Sequence, residues 1–363
     1  MPRTSTDRLA RLQAELRAQR AAGLLVSHLP NVFYLCGFTG ENALLLVERR
    51  RAVLFTDPRF MVQAREECSG HGIQLEIVRG PLSAAAGAQV RRARVSGTML
   101  FEDDRLTVAQ LRELKRAAKG ICKWKGARGQ VEALREVKDR DEIAGMRQAA
   151  QLGCQVMQHA IRSIRPGMTE LELAAEIDYR MRKLGASGPS FETIVASGPR
   201  AALPHGRPTS KRLKKQELVV LDLGVILRGY CSDLTRTVHL GRASQQVRRW
   251  YRAVLLAQLA ARQAVREGVQ ALEVDEAARQ VLRRERLERY FIHSTGHGLG
   301  IEVHERPGLG RNQTARLKAG SIVTIEPGIY LPGRGGIRIE DDVLVKETGS
   351  ETLTELPREL VEI

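Results

Sequence analysis

Four acidic residues in the C-terminal half lie within or soon after apolar runs that are typical of buried strands. Asp222 interrupts the run that starts at Val219, and Asp233 follows eleven residues later. Glu326 closes a second apolar run, and Glu340 follows fourteen residues after it. Because burying an unpaired carboxylate costs several kcal/mol, these residues predict a site in which cations lie between the carboxylates.

Histidines that could join such a site occur in two short segments that contain glycine. His205 lies in Pro-His-Gly, whereas His293, His297 and His304 follow within one stretch of the C-terminal half. A lone histidine is more often structural than functional, but four of the eight histidines in two such segments favour a functional role. Carboxylates with one imidazole suit a divalent ion such as Mn²⁺, Co²⁺ or Zn²⁺, and four negative charges would balance two such ions.

Each of these residues also has a simpler interpretation. A carboxylate at the end of a strand can cap a turn, and Asp233 could form a salt bridge with Arg236. Side chains alternate between the faces of a strand, so Arg338 and Glu340 are expected on the same face. Arg338 could therefore orient a carboxylate ligand or form an ordinary ion pair.

The segments around these residues resemble those of the metallopeptidase family with the pita-bread fold, which includes methionine aminopeptidase, aminopeptidase P and prolidase. The matching segments are Asp222-Leu-Gly, Gly229-Tyr-Cys-Ser-Asp-Leu-Thr-Arg-Thr237, Gly296-His-Gly-Leu-Gly300, Glu326-Pro-Gly and Arg338-Ile-Glu-Asp. The resemblance implies two divalent ions and five metal ligands, which are Asp222, Asp233, His297, Glu326 and Glu340. We expect Mn²⁺, with Co, Zn or Fe as alternatives.

The N-terminal part resembles the domain that Xaa-Pro peptidases and creatinases carry and that methionine aminopeptidases generally lack. The matching segments are Tyr34-Leu-Cys-Gly-Phe-Thr-Gly-Glu-Asn and Phe55-Thr-Asp-Pro-Arg-Phe, and Phe191-Glu-Thr-Ile-Val-Ala-Ser-Gly198 also resembles the Xaa-Pro branch. Creatinases share the fold but do not work through this metal set. Because all five ligands are present, the resemblance favours a metal-dependent Xaa-Pro peptidase.

The resemblance also implies roles for individual side chains. Glu326 would be the catalytic residue that moves protons between water and the leaving nitrogen. His205 and His304 would bind the substrate and support the oxyanion during catalysis. His293 would line the proline pocket, and Arg338 is a further predicted residue of the substrate site.

The leading functional prediction is an aminopeptidase P-like enzyme that removes an N-terminal residue preceding proline. The alternative within the same family is a prolidase restricted to Xaa-Pro dipeptides. The Xaa-Pro amide has no N–H group, so peptidases that bind this group handle it poorly. Two other classes stay open, namely a metal-free creatinase-like hydrolase and a non-catalytic binding protein.

The elements that must position these residues fall into two predicted domains. In residues 1–126, β-like runs alternate with helical patterns, which predicts an α/β domain that the resemblance identifies as creatinase-like. In residues 127–363, helical patterns at 131–164, 168–184 and 244–284 combine with strands, which predicts the α+β pita-bread catalytic domain. Thr169 and Glu172 form a predicted capping box. The polar segment 122–129 is the predicted linker.

Composition limits the expected partners and location. The net charge is +16, but the excess is diffuse and aromatic residues make up only 4%, so we expect no nucleic acid partner. No run approaches the roughly 18–20 apolar residues of a membrane-spanning helix. Five cysteines without CxxC spacing fit a reducing cytoplasm. We therefore expect a cytoplasmic protein without a membrane partner that acts on proline-containing peptides and, from the resemblance, is a homodimer.

Overall fold

The computed structural model describes residues 4–70 and 72–363. The chain divides into two compact units, Met1–Arg135 and Glu136–Ile363. Each unit combines helices and sheets, and each has a buried apolar core of its own. The predicted domain limits, 1–126 and 127–363, remain a proposal.

The N-terminal unit is built on a mixed sheet of six strands. Its helices are α1 (Thr4–Ala18), α2 (Leu29–Cys36), α3 (Met61–Glu67), α4 (Leu82–Arg92), α5 (Val108–Ala118) and α6 (Glu132–Arg135). Its strands are β1 (Gly23–Val26), β2 (Ala43–Glu48), β3 (Ala52–Thr56), β4 (Ile73–Ile77), β5 (Thr98–Glu102) and β6 (Lys123–Ala127), and Pro58–Phe60 is a 3₁₀ turn. The strand order is β4-β3-β2-β1-β5-β6.

The central strands of this sheet are buried on both faces. Antiparallel pairs join β1 to β2 and β2 to β3, whereas parallel pairs join β3 to β4, β1 to β5 and β5 to β6. Strands covered on both faces read as continuous apolar runs, which is why Leu44–Val47 and Ala52–Phe55 show no polar alternation. The expectation of an α/β domain is confirmed.

The predicted linker is wrong. Residues 123–127 form β6, which pairs in parallel with β5 from Lys123 opposite Thr98 to Ala127 opposite Glu102. The segment is polar because it is an edge strand whose side chains are only half-buried or exposed. An edge strand can carry lysines without burying them, so its composition resembles that of a linker.

The C-terminal unit contains the remaining elements. Its helices are α7 (Arg140–Ser163), α8 (Glu170–Lys183), α9 (Gln245–Ala264) and α10 (Ala271–Arg284), with 3₁₀ turns at Gly198–Ala202 and Glu288–Tyr290. Its first strands are β7 (Gly188–Pro189), β8 (Ile194–Ser197), β9 (Glu217–Leu223), β10 (Val225–Leu227), β11 (Tyr230–Cys231), β12 (Leu234–Leu240) and β13 (Gly296–Gly298). The later strands are β14 (Glu305–Leu309), β15 (Ile322–Ile325), β16 (Gly328–Leu331), β17 (Gly335–Arg338), β18 (Asp341–Val345), β19 (Ser350–Thr352) and β20 (Val361–Glu362).

Four sheets organise these strands. Their orders are β20-β12-β9-β8, β14-β13-β15-β18-β19, β11-β10-β7 and β16-β17. One core packs α7 and α8 against β8, β9 and β12, and a second packs α9 and α10 against β15 to β18. Two helical layers therefore support strands whose ends carry the predicted ligands. The predicted α+β pita-bread domain is confirmed.

The helical patterns contain breaks that periodicity alone does not show. The pattern at 131–164 is divided, because Asp139 caps α7 and forms a capping box with Glu142. The pattern at 244–284 is divided between Ala264 and Ala271, and Gly268 lies there at a φ of 79°. The capping box predicted at Thr169 is confirmed, with the Glu172 N–H donating to its hydroxyl oxygen at 3.1 Å. Within the described residues, no helix is both long and apolar enough to cross a bilayer.

Candidate metal centre

The strand pair β9–β12 brings the first two acidic residues together. These antiparallel strands place Asp222 opposite Thr235, and Asp233 directly precedes β12. The Thr235 hydroxyl donates to Oε2 of Glu340 at 2.6 Å, and the Glu340 N–H donates to the Thr235 carbonyl at 3.2 Å. Thr235 therefore fixes Glu340 beside the two aspartates.

The strand pair β15–β18 carries the other two acidic residues. Ile325 lies opposite Asp341 in this antiparallel pair. Glu326 directly follows Ile325, and Glu340 directly precedes Asp341, so both glutamates leave the sheet at the same edge. Asp342 ties this edge to the first pair, because its Oδ2 accepts a hydrogen bond from the Asp233 N–H at 3.1 Å.

The backbone around His297 requires glycine on both sides. A Cβ atom at Gly296 would lie 1.9 Å from the Thr324 carbonyl oxygen, and one at Gly298 would lie 2.2 Å from that of Arg306. Real Cβ atoms do not approach a carbonyl oxygen this closely. The Gly-His-Gly segment therefore packs His297 tightly between β14 and β15.

One ring nitrogen of His297 faces the acidic residues. Nδ1 lies 3.0 Å from the Gly298 carbonyl oxygen, which can only accept, so Nδ1 carries the proton. Nε2 then presents its lone pair 3.6 Å from Oδ2 of Asp233 and 3.5 Å from Oε1 of Glu326. Burial and the neighbouring His304 lower the pKa of His297 to about 4, so the imidazole is neutral and able to ligate a metal.

All nine predicted site residues line one cavity of about 410 Å³. They are His205, Asp222, Asp233, His293, His297, His304, Glu326, Arg338 and Glu340. Asp233, His297 and Glu340 offer ligand atoms that all lie within 4.8 Å of one another. The structure therefore brings together the residues that the sequence analysis selected, and their individual roles remain predictions.

The charges at this cavity are those of a site that needs cations. Burial, followed by the charge of Glu340, raises the pKa of both Asp233 and Glu326 well above the usual range. Burial, followed by the charge of Asp222, raises the pKa of Glu340 to about 8. Oδ1 of Asp222 and Oε1 of Glu340 are buried without a hydrogen-bond partner among the described residues. Carboxylate oxygens in this state fit divalent ions.

Arg338 is buried against the same residues. Its Nη2 donates to Oδ2 of Asp222 at 2.6 Å, and its Nε donates to the Thr235 hydroxyl at 3.1 Å. Its Nη1 donates to the carbonyl oxygen of Pro204 at 3.1 Å and to the Tyr330 hydroxyl at 2.8 Å. The sequence left open whether Arg338 orients a carboxylate ligand or forms an ordinary ion pair. The contact with Asp222 fits both interpretations, because Asp222 is itself a predicted ligand.

The Tyr330 hydroxyl connects Arg338 to His293. Nδ1 of His293 donates to the carbonyl oxygen of Ser294 at 2.7 Å, which leaves Nε2 to accept from the Tyr330 hydroxyl at 2.8 Å. Burial, followed by the charge of Arg338, lowers the pKa of His293 to about 4. His293 is therefore a neutral, oriented ring at the cavity wall.

His205 and His304 lie at the exposed rim of the cavity. The His304 ring lies edge-on to His297, with 4.3 Å between the ring centroids. Burial, followed by the charge of His205, lowers the pKa of His304. These two side chains can reach a molecule in the cavity from the side that is open to solvent.

The simpler interpretation of Asp233 as a partner of Arg236 is wrong. Arg236 pairs with Asp341 at 2.9 Å and donates to the backbone carbonyls of Glu340 and Leu356 at 2.6 and 2.8 Å. Its guanidinium therefore anchors the backbone beside Glu340 and leaves Asp233 to the cavity.

Three positioning residues were not identified from the sequence. Thr235 and Asp342 lie within the segments quoted for the resemblance or directly beside them, and Tyr330 lies in an apolar run. The sequence signal that could have identified Thr235 is the alternation of side chains between the two faces of a strand. In a strand that starts at Leu234, Thr235 and Thr237 share a face, and both hydroxyls bond to the segment 338–340.

A buried ion pair on α10 holds the segment that leads to His297. Nε of Arg279 donates to Asp275 at 2.6 Å, and its Nη2 donates to the His293 carbonyl at 2.6 Å. Asp275 also accepts from the backbone N–H and the hydroxyl of Thr295 at 3.0 and 2.8 Å. Both partners of the ion pair are at most 4% exposed. This pair therefore fixes the backbone between His293 and His297.

Replacing Arg279 with methionine should destabilise the protein strongly. The variant keeps the aliphatic volume but leaves Asp275 buried without its cation, which costs about 3–5 kcal/mol in the free energy of unfolding. Arg283→Met is the matched control on the same helix, because Arg283 pairs with Glu276 and Glu288 at the surface and such pairs contribute little. Urea denaturation measures both variants, and equal losses would contradict a special role for Arg279.

The chain belongs to metallopeptidase family M24, and the cavity described above is its candidate metal centre. The model of this family matches residues 144–347, and that of the creatinase/prolidase N-terminal domain matches residues 8–137. Membership implies that divalent metal ions bind to the chain. The predictions of this family and of a metal-dependent enzyme are confirmed.

The chain is similar to several proteins over nearly its whole length. It is 36% identical to the Xaa-Pro dipeptidase from Bacillus anthracis, with a TM-score of 0.94 over 99% of this chain and 100% of that one. It is also 36% identical to the X-Pro aminopeptidase from Thermotoga maritima, with a TM-score of 0.88 over 96% and 100% of the two chains. An uncharacterized peptidase from Bacillus subtilis is 37% identical over 93% of this chain and 95% of its own length.

Proposed function

We propose that the chain is a metal-dependent Xaa-Pro peptidase that hydrolyses the bond between an N-terminal residue and a following proline. The first candidate activity is that of an aminopeptidase P acting on longer peptides, and the second is that of a prolidase acting on Xaa-Pro dipeptides. The two structural relatives, one named a dipeptidase and one an aminopeptidase, support the candidates equally.

One observation carries the proposal. Three carboxyl groups with raised pKa values and a neutral imidazole share a cavity with the partnerless Oδ1 of Asp222. We propose that Asp222, Asp233, His297, Glu326 and Glu340 hold two divalent ions. When bound, the ions supply Lewis acidity and lower the pKa of water toward neutrality. Mn²⁺ is our first choice, with Co, Zn and Fe as alternatives that this mixed ligand set also accepts.

The chain's own residues would handle the substrate and the protons. Glu326 lies at the cavity and can take a proton from water and deliver it to the imino nitrogen of the leaving proline. His304 and His205, at the open rim, can donate hydrogen bonds to the carbonyl oxygen as negative charge develops on it. Asp342 and Thr235 act through Asp233 and Glu340 and keep these carboxylates in place.

The proline ring would lie against the wall formed by His293. The ring of His293 is oriented at both nitrogens, and Phe191, Val303 and Tyr330 line the same cavity. Such a wall suits the compact apolar ring of proline, and binding to it does not require an N–H group on the scissile amide. Arg338, which bonds to Tyr330, would hold this wall in position.

A small peptide panel tests the proposal. With Mn²⁺ supplied, we expect hydrolysis of Xaa-Pro-Yaa and slower hydrolysis of Xaa-Pro, with no cleavage of Xaa-Ala-Yaa, the matched control without the proline ring. Activity on the dipeptide alone would instead establish the prolidase. Activity that survives a strong chelator would overturn the metal-dependent reaction in favour of a creatinase-like one.

We further propose that the protein acts in the cytoplasm as a homodimer. All five cysteines are free thiols, which agrees with a reducing compartment. Light scattering on the purified chain tests the dimer, because a monomer mass would contradict it.

A further inference from the structure

One buried carboxylate of the C-terminal unit lies outside the cavity and has no part in the proposed reaction. Glu170 is the first residue of α8, and it is fully buried. A negative charge suits the first turn of a helix, but the exposed Glu172 supplies such a charge in the capping box without being buried. Because a buried charge is costly unless it is well bonded, the partners of Glu170 indicate what the charge does for the protein.

The hydrogen bonds of Glu170 join the two ends of one loop. Its Oε1 accepts from the N–H and the hydroxyl of Ser197 at 2.9 and 2.8 Å. Its Oε2 accepts from the N–H and the hydroxyl of Thr209 at 3.1 and 2.8 Å. Arg200, within the loop, also donates from Nε to Oε2 at 3.1 Å. A single carboxylate therefore closes the loop 198–208 at its base.

This loop carries His205, which is exposed at the rim of the cavity. The loop begins with the 3₁₀ turn Gly198–Ala202, after which the Gly206 N–H donates to the Leu203 carbonyl at 3.2 Å. A Cβ atom at Gly206 would lie 2.9 Å from the Cβ of Ala196, so the turn around His205 packs directly on β8. The backbone of the loop therefore sets the position of the His205 ring.

We infer that Glu170 is a positioning residue of the substrate site, which acts by closing the loop that presents His205 to the peptide. The inference rests on the proposed peptidase function, in which His205 donates to the carbonyl oxygen as negative charge develops on it. Glu170 holds the base of the loop, and Arg338 holds its tip by donating to the Pro204 carbonyl at 3.1 Å. A small displacement of such a donor costs a large part of the rate.

Replacing Glu170 with glutamine should loosen the loop and leave the metal site occupied. Glutamine keeps the shape of the side chain, but its amide nitrogen is a donor that would face the donors of Ser197 or Thr209. Amide hydrogen exchange should therefore become faster at residues 198–207 and stay unchanged in β15 and β18. For an Xaa-Pro-Yaa peptide, kcat/KM should fall about 10- to 100-fold, while the metal content stays that of the wild type.

Glu172→Gln is the matched control on the same helix. Glu172 accepts from the Thr169 N–H at 2.7 Å and from no atom of the loop that carries His205. Its replacement weakens the helix cap and lowers stability. It should leave both the exchange of residues 198–207 and kcat/KM unchanged, and a loss of kcat/KM equal to that of Glu170→Gln would contradict the inference.

A double-mutant cycle with His205 separates positioning from a general effect on the fold. In a His205→Ala background, Glu170→Gln should change kcat/KM by less than about twofold, because the side chain that it positions is gone. An equal loss in both backgrounds would overturn the inference, and so would unchanged exchange of the loop. If Glu170→Gln does not fold, Thr209→Val, which removes one donor and keeps the carboxylate, should show the same cycle with a smaller loss. An inactive wild type would instead contradict the proposed peptidase function, and the exchange measurement would still decide whether Glu170 closes the loop.

Discussion

Replacing Asp233 with asparagine is expected to lower kcat/KM for an Xaa-Pro peptide by about 10³-fold, which corresponds to ~4 kcal/mol of transition-state stabilisation. Asparagine keeps the shape of the side chain but removes the charge of a proposed ligand from the group that Asp233 forms with His297 and Glu340. The bound metal, measured by elemental analysis of the dialysed protein, should fall together with the rate.

Two further measurements separate metal loss from misfolding. Because repulsion from Glu340 contributes to the raised pKa of Asp233, the metal-free variant should unfold at the same temperature as the metal-free wild type or at a higher one. Glu170→Gln is the control, because Glu170 is a buried carboxylate that binds Ser197 and Thr209 outside the cavity, and it should retain its metal. A variant at Asp233 with full metal content and full rate would contradict the assigned ligand set.

Removal of the metal is expected to make stability fall as pH rises from about 7 to 8. The raised pKa of Glu340, about 8, means that the folded metal-free protein holds a proton that the unfolded chain releases. When the folded state binds more protons, stability decreases with pH, by roughly 1.4 kcal/mol per pH unit for each full proton. Asp233 and Glu326 have raised pKa values and act in the same direction.

The histidines determine which pH window is informative. Burial lowers the pKa of His293 and His297 to about 4. Between this value and the ordinary pKa of histidine, the unfolded chain binds more protons than the folded protein, so these two residues make stability rise with pH. This opposing effect ends above about pH 7, where unfolded histidine is also mostly neutral. Urea unfolding at pH 7 and 8, with a chelator and with Mn²⁺, measures the effect. Because metal replaces the protons, the two sets of curves should separate as pH rises, and parallel curves would contradict the prediction.

The residues that gather at the cavity could be selected because their signals are local in the sequence: four carboxylates lie within or soon after apolar runs, and His297 lies between glycines. Their assignment as five metal ligands rests on the family resemblance and stays a prediction. The capping box at Thr169 could be predicted from a local signal as well. The alternation of Arg338 and Glu340 also identified two residues that both contact Thr235.

Other features depend on contacts that a local pattern does not contain. Residues 123–127 form a strand because β5 offers an open edge, and their polarity alone suggests a linker. Arg236 binds Asp341 across the fold, although Asp233 is nearer in sequence. The ion pair of Asp275 with Arg279 has helical spacing, but only the fold shows that it binds the backbone around His293.

The predicted ligands are held in place by hydrogen bonds between residues that are very distant along the chain. Thr235 and Glu340 are 105 residues apart, Asp233 and Asp342 are 109 apart, and Asp222 and Arg338 are 116 apart. Contacts of this separation form late, because long loops must close first. The centre therefore assembles only when the C-terminal unit is nearly complete, so bound metal should slow unfolding far more than it accelerates folding.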